Sequence, residues 1–224
     1  MNTHGAVDIQ LRRGVPESFR EEAAGLYAGV FAAKYQVLIG EGPQARSIIA
    51  RCIELRQAIG AFHEGRLVGL AGFHLESRHF LRLRLHVLMQ EFGHTAGLWR
   101  FFLYLCQRKR VPRHDLLMDG LVVAADYRSK GVGSLLIQHL SEVGRRRGLS
   151  GLRLSVVDTN PRAQQLYERL GFLALQTREY HHLEGWIPFT TLTIMRKPLQ
   201  PALASARRAP QAPLRFWRWP LIDG

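Results

Sequence analysis

The feature that most constrains the fold is a glycine-containing loop between a buried strand and a helix. An apolar run predicts a strand over residues 116–125, and a helix is predicted over 134–147. Between them, Gly131 and Gly133 allow the backbone to turn tightly and approach a ligand closely. The helix start adds unpaired N–H groups and a partial positive charge. The segment therefore favours a diphosphate-binding nest, and a turn without a ligand is the alternative.

The spacing of this loop excludes the two best-known nucleotide loops. The Gly-x-x-x-x-Gly-Lys-Ser/Thr pattern is absent, and the third glycine of a dinucleotide fingerprint is also missing. Arg128 and Lys130 add positive charge beside the glycines. The loop therefore matches neither pattern, and a glycine-rich turn without a ligand stays the alternative to an anion site.

The rest of the chain predicts strands alternating with helices. A strand over about 6–11 and two helices come first, and the second helix is expected to carry Ile48, Ile53 and Ile59 on one side. A hairpin with a turn at 63–66 follows. The second half predicts a strand at 152–157, a helix at 160–170 and strands at 172–177 and 189–196. Such alternation predicts an α/β domain with helices packed on a sheet.

Two motifs resemble those of the GNAT superfamily of acetyl-CoA-dependent acyltransferases. The first is Arg-x-x-Gly-x-Gly from Arg128 to Gly133, although Ala125 stands where a proline is usual. The second includes Asn160-Pro161, Leu166-Tyr167 and Gly171. The resemblance implies an α/β fold, classed as α+β in some schemes. It has a mixed, mostly antiparallel central sheet, helices on both faces and a splay between strands four and five.

The resemblance also implies a binding site for acetyl-CoA as co-substrate. The backbone of Leu121 and Val123 would pair with the pantetheine arm, with Val122 between them, and the amides of 129–134 would hold the diphosphate. Asn160 would contact the pantetheine or the phosphate side. The predicted cofactor-binding residues are Leu121, Val122, Val123, Arg128, Ser129, Lys130, Gly131, Val132, Gly133, Ser134, Asn160 and Tyr167.

The catalytic candidates are one acid and two bases. Tyr167 lies seven residues after Asn160 on the same helical side and would protonate the departing thiolate; a tyrosine packed in the core is the alternative. Asp119 and Glu76 are the candidate bases, and Asp119 is open to a purely structural reading as a surface acid. His74 is among several histidines that are weaker candidates.

These residues favour an N-acetyltransferase acting on a primary amine of a small molecule or peptide. A protein lysine or N-terminal acetyltransferase is a second hypothesis, although Ser155 stands where several family members carry a glutamate. A non-catalytic acyl-CoA-binding regulator is a third hypothesis from a different class.

Charge and cysteine content bear on partners and on localisation. The net charge of +13 favours anionic partners, but no nucleic-acid-binding module is recognised and we do not expect such a partner. Two cysteines give no metal cluster, so no metal is expected. With no signal peptide or membrane span recognised, a cytoplasmic protein is predicted.

Two segments lie outside the resemblance. A GNAT domain is predicted over 1–197, with a basic insert at 76–116 that forms one or two amphipathic helices. The insert would recognise an acidic acceptor or a membrane surface, or its arginines would simply be solvated. Residues 198–224 are predicted to be a basic, aromatic tail, and a homodimer is left open.

Overall fold

The strands join in a single twisted sheet at the centre of the protein. A computed structural model describes residues 8–75, 78–107, 113–180 and 189–199. Within these residues the strands are β1 (Gln10–Arg13), β2 (Ala58–His63), β3 (Arg66–His74), β4 (Asp115–Val123), β5 (Gly151–Val157), β6 (Leu173–Glu179) and β7 (Thr191–Pro198). Their order is β1-β2-β3-β4-β5-β7-β6, and every pair is antiparallel except β4–β5.

Helices cover both faces of this sheet, as the resemblance implies. In the described residues they are α1 (Arg20–Ile39), α2 (Gly42–Cys52), α3 (Leu85–Phe92), α4 (His94–Gln107), α5 (Val132–Arg146) and α6 (Pro161–Arg169). Neighbouring residues of β3 alternate between two apolar cores: Leu70 packs with residues of α1 to α3, and Ala71 packs with residues of α5. The predicted mixed sheet with helices on both sides is therefore confirmed.

The sheet opens between its two central strands. The parallel ladder of β4 and β5 joins only Asp115, Leu116 and Leu117 to the residues from Gly151 to Arg153. Beyond Leu117, β4 continues to Val123 while β5 stays paired with β7 on its other side. The splay predicted between strands four and five is confirmed.

An ion-pair cluster around Asp115 holds the strands together at the closed end of this splay. Asp115 is 4% exposed and accepts hydrogen bonds from Arg153, Arg196 and Ser150. These partners come from β5, from β7 and from the turn before β5. The cluster therefore holds β4 against its neighbours at the closed end of the wedge.

Two local predictions were wrong. The second helix ends at Cys52: Ile53 bridges to Leu81, and Ile59 lies in β2, because a short 3-10 turn over Leu55–Gln57 separates the helix from the strand. The helix after the glycine loop begins at Val132, two residues earlier than predicted.

The basic insert contains two helices, α3 and α4, in its described part. Leu98, Trp99 and Phe102 of α4 are each more than half exposed, while Phe101 and Tyr104 pack against the core. No helix in the described ranges is both long and apolar enough to cross a membrane. The tail after residue 199 lies outside the described residues, so the predictions for it, for a membrane surface and for the compartment stay predictions.

Candidate active site

The open edge of β4 presents backbone groups to the gap beside β5. The amide of Ala124 donates to the carbonyl of Val68 on β3 at 2.9 Å, and Val122 is paired with Leu70. Because backbone groups alternate in direction along an antiparallel pair, Leu121 and Val123 direct their N–H and C=O groups away from β3. The two residues predicted to pair with the pantetheine arm thus face the gap.

The glycine loop ends where this gap begins. Gly131 is the N-cap of α5 in the left-handed conformation (φ 81°), and no side chain caps the helix. A Cβ placed on Gly131 would meet no atom within 4 Å, so the space in front of it is open. The first amides of α5, at Val132, Gly133 and Ser134, have no partner within the helix. The helix dipole favours an anion at this point.

Three side-chain contacts hold the loop in place. His63 of the hairpin contacts the Tyr127 hydroxyl at 2.8 Å, and the Lys130 ammonium lies 5.1 Å from the centre of the Tyr127 ring. Arg128 donates from Nε to the Val123 carbonyl at 3.2 Å. Arg128 therefore reaches the open edge of β4, and no side chain caps the start of α5.

The loop, β4 and α6 converge on one place. A Cβ at Gly133 would lie 3.5 Å from Leu166 on α6 and 3.6 Å from Leu121 on β4. Tyr167 is the next residue of α6, and its side chain belongs to the apolar core that also contains residues of α5 and β5. The structure therefore gathers the residues of both motifs.

Tyr167 is buried, with 7% of its surface exposed, and its ring lies 5.7 Å from that of Phe172. Burial raises the pKa of its hydroxyl to about 12. In the described part of the chain the hydroxyl makes no hydrogen bond. The ring therefore packs in the core while the hydroxyl keeps its hydrogen-bonding capacity for a ligand.

Asn160 has a local role in the structure. Its side-chain oxygen accepts a hydrogen bond from the Ala163 amide at 3.1 Å and so caps α6. A contact between the Asn160 amide group and the cofactor stays a prediction.

A β-bulge places Asp119 on the other side of the same strand. Gly72 of β3 pairs with Gly120, whereas Phe73 pairs with Met118, so Asp119 is the extra residue. Gly120 has φ 142° and approaches α1 so closely that a Cβ would lie 2.9 Å from the rings of Tyr27 and Phe31. A glycine is needed here because a side chain would displace these rings.

Asp119 sits in a cluster of polar side chains that the sequence did not predict. Its side chain is 7% exposed, and its Oδ2 lies 2.6 Å from Nε2 of His74. His74 in turn contacts His79 through their Nδ1 atoms. The Tyr27 hydroxyl donates to the Asp119 carbonyl at 3.2 Å. Asp119 is thus buried, unlike a solvated surface acid, and it is paired with His74, as the structural alternative of a salt-bridged acid also implies.

No local pattern could have predicted this cluster, because its members are distant in sequence. Burial first, and then the charge of Asp119, raise the pKa of Tyr35 on α1, which also shares a hydrogen bond with Tyr27. The second candidate base, Glu76, lies outside the described residues. Among those described, no group of three or more His, Cys, Asp or Glu side chains is placed to hold a metal ion.

The sequence model of the Acetyltransferase (GNAT) family matches residues 35–172, which span the hairpin, the insert, the glycine loop and α6. The chain belongs to the GNAT family of acetyltransferases. The resemblance predicted from the two motifs is therefore confirmed. The predicted enzyme class, an acyltransferase, and the predicted co-substrate, acetyl-CoA, are those of this family.

One acetyltransferase is similar to part of this chain in sequence, and another is similar to it in fold. The thialysine N-epsilon-acetyltransferase of Bos taurus is 36% identical over 72 residues, or 32% of this chain and 39% of that enzyme. The alignment thus spans about two fifths of this relative. An Escherichia coli ribosomal-protein-S18-alanine N-acetyltransferase has a TM-score of 0.53 at 17% identity, covering 89% of this chain and 99% of that one.

A second similar structure contains acetyl-CoA. A Salmonella typhimurium protein assigned as an acetyltransferase and solved with acetyl-CoA has a TM-score of 0.57 at 17% identity, covering 88% of this chain and 96% of that one. In the present chain, the residues fit such a molecule. The open space at Gly131, the first amides of α5 and the outward N–H groups of Leu121 and Val123 are the features that would accommodate it.

Proposed function

We propose that this protein is an N-acetyltransferase that transfers an acetyl group from acetyl-CoA to a primary amine of a small molecule or peptide. The observation that carries the proposal is the wedge between β4 and β5, which opens beside the uncapped start of α5. Shape and N–H direction at this place suit a diphosphate followed by an extended arm. The bovine relative is named for N-epsilon acetylation of thialysine, and this name supports an amine acceptor.

In this proposal the two substrates react directly while both are bound. Acetyl-CoA supplies an activated acetyl group as a thioester. The amine nitrogen bonds to the carbonyl carbon, the C–S bond breaks, and the proton lost by nitrogen passes to a base. The amide of Val123 faces the gap, where it can donate to the carbonyl oxygen as negative charge develops on it. The protein mainly positions the two partners.

Asp119 is the base that the described structure supports. Deprotonating a lysine-like amine at pH 7 costs about 4.6 kcal/mol, whereas an α-amine costs only about 1 kcal/mol. A lysine-like acceptor therefore needs a base, and a buried carboxylate next to the open strand can supply it. Glu76 remains a second candidate from the sequence.

Tyr167 acts in this proposal as a hydrogen-bond donor to the departing sulfur. With its pKa raised to about 12 by burial, complete proton transfer to a thiolate whose conjugate acid has a pKa of about 8.5 is uphill by about 5 kcal/mol. Donating a hydrogen bond to the sulfur avoids this cost and still stabilises the developing negative charge. Because of this raised pKa, we propose that Tyr167 donates a hydrogen bond to the sulfur and does not transfer its proton completely.

Two alternatives remain with this site. A protein lysine or N-terminal acetyltransferase would use the same residues. Several family members carry a glutamate where this chain has Ser155, and its absence weakens the case for N-terminal acetylation. A non-catalytic acyl-CoA-binding regulator would keep the glycine loop and would need neither Tyr167 nor Asp119.

The test is release of free thiol from acetyl-CoA in the presence of a panel of small amines, diamines and peptides. We expect at least one primary amine to stimulate release by the purified full chain, and Tyr167→Phe to lower this stimulated rate by about 10²-fold. Calorimetry of acetyl-CoA binding is measured on both proteins, and we expect similar affinities.

The outcomes separate the three hypotheses. Stimulation by peptides alone supports a protein acetyltransferase. Tight binding of acetyl-CoA with no stimulation by any amine supports the regulator. Absence of acetyl-CoA binding would overturn the proposal at its first step.

A further inference from the structure

Two histidines lie behind the candidate base. We propose that His74 and His79 are positioning residues, which keep the Asp119 carboxylate ionised and oriented toward a cationic amine acceptor. This inference rests on the proposed function and concerns the residues that support its candidate base. It is carried by the geometry around the β4 bulge.

His74 is the last residue of β3 and is as buried as its partner. The exposed fractions of the His74 and Asp119 side chains are 8% and 7%, and Nε2 lies 2.6 Å from Oδ2. The angles at this contact lie outside those of a regular hydrogen bond, and Nε2 has no other hydrogen-bond partner in the described chain. Among the described residues, the side-chain oxygen recorded beside this buried nitrogen is Oδ2 of Asp119.

The proton positions on the two histidines follow from the carboxylate beside His74. The Nδ1 atoms of His74 and His79 face each other within hydrogen-bond distance, and their rings are perpendicular at 88°. Two facing nitrogens need one proton between them. An ionised carboxylate only accepts, so Nε2 of His74 carries a proton where it faces Asp119. Nδ1 of a neutral His74 is then bare and accepts from Nδ1–H of His79.

Tyrosine side chains from α1 and α4 lie around the same cluster. Tyr27 and Tyr35 of α1 face Asp119, and burial, followed by neighbouring charge, raises the pKa of both hydroxyls. Tyr104 of α4 lies near Tyr35. A buried carboxylate that is ionised and receives hydrogen bonds suits an acceptor that arrives as a protonated amine.

Loss of His74 would remove the donor that favours the ionised carboxylate. A buried carboxylate without such a donor favours its protonated form, which cannot accept a proton from the amine. The acidic limb of the pH profile should then move to higher pH. A merely structural role for His74 would lower stability and would leave this midpoint unchanged.

The experiment compares His74→Leu, His74→Gln and His79→Leu with the wild-type chain. The measurement is kcat/KM for the best amine from the panel as a function of pH, with acetyl-CoA affinity by calorimetry. We expect His74→Leu to lose about tenfold in kcat/KM at neutral pH and to shift the acidic midpoint upward by about one pH unit.

The conservative variant supplies the rescue. His74→Gln keeps an N–H donor close to the position of Nε2, so we expect it to restore most of the activity and the original midpoint. His79→Leu should shift the midpoint in the same direction by a smaller amount. His86→Leu, on an exposed position of α3, is the matched control and should leave both quantities unchanged.

The results distinguish this inference from the proposed function. If the wild-type chain acetylates no amine, the proposed function fails. If it does acetylate an amine, and both His74 variants keep the wild-type rate and acidic midpoint, the positioning role is refuted. If His74→Leu does not fold, His74→Gln and His79→Leu still decide: a folded His74→Gln that loses most of the wild-type activity would refute the donor role.

Discussion

Tyr167 combines a core position with an unused hydroxyl group. Its ring packs against Phe172, and burial raises its pKa to about 12. The hydroxyl therefore stays protonated over the whole range in which an amine acetylation can be assayed. A donor that does not ionise in this range adds no limb of its own to the pH profile.

The first prediction concerns the ratio of wild-type to Tyr167→Phe activity. We expect kcat of the variant to be lower by about 10²-fold and the ratio to stay constant from about pH 6 to about pH 10. Rates of thiol release across this range measure the ratio, and circular dichroism checks that the variant is folded. A ratio that falls toward one above about pH 9 would mean that the hydroxyl ionises with an ordinary tyrosine pKa.

At the scale of elements, α5 offers a glycine with positive φ near each end. Gly131 precedes its first residue and Gly148 follows its last turn, with φ of 81° and 67°. A Cβ would meet no atom within 4 Å at either position. Glutamate at either site therefore brings similar backbone strain, of about 1 kcal/mol, but only Gly131 lies at the proposed diphosphate site.

The second prediction compares substitutions at these two glycines. We expect Gly131→Glu to weaken acetyl-CoA binding by at least about tenfold, because its carboxylate would stand where the diphosphate is held. Gly148→Glu should bind like the wild-type chain and should lose a similar amount of stability. Calorimetry and thermal unfolding measure the two effects. Equal affinities for the two variants would contradict placement of the diphosphate at the start of α5.

The elements around the loop could be predicted from the sequence because their signals are local. The apolar run of β4, the glycines and the helical period of α5 lie within about thirty consecutive residues, and the hairpin is also a local pattern. The Asp119 cluster could not be predicted. Its bulge depends on the register between β3 and β4, and its contact with Tyr27 joins residues 92 positions apart. The predicted end of α2 was wrong for the same reason. Ile53 is held by a bridge to Leu81 and Ile59 belongs to β2, and both contacts join residues distant in sequence.

At the scale of the whole molecule, the sheet consists of two halves joined by a short seam. β1 to β4 form one half and β5, β7 and β6 form the other, and three residue pairs link them. Asp115 lies in this seam with Arg153 and Arg196. The Asp115 contacts hold the two halves of the sheet together at the closed end of the wedge. We therefore expect both the stability of the fold and the binding of acetyl-CoA in the wedge to depend on this seam.

The third prediction is that this seam makes the fold sensitive to acid. Burial alone would raise the pKa of Asp115, but hydrogen bonds from Arg196 and Arg153 outweigh it and lower the pKa below the usual value. A carboxyl group with a lowered folded-state pKa contributes stability that is complete above the unfolded-state value of about 3.9 and is lost as pH falls below it. We therefore expect the urea midpoint of the wild-type chain to fall steeply below about pH 4.

Asp115→Asn tests the linkage directly. The variant leaves two partly buried arginines without their counter-ion, so it should be less stable by about 3–5 kcal/mol at neutral pH. Its stability should also fall less between about pH 6 and about pH 3, because the linked carboxyl group is gone. Glu142→Gln, which removes an exposed partner of Arg145 and Arg146 on α5, is the control and should keep the wild-type acid response. Parallel acid curves for Asp115→Asn and the wild-type chain would show that another carboxyl group controls unfolding in acid.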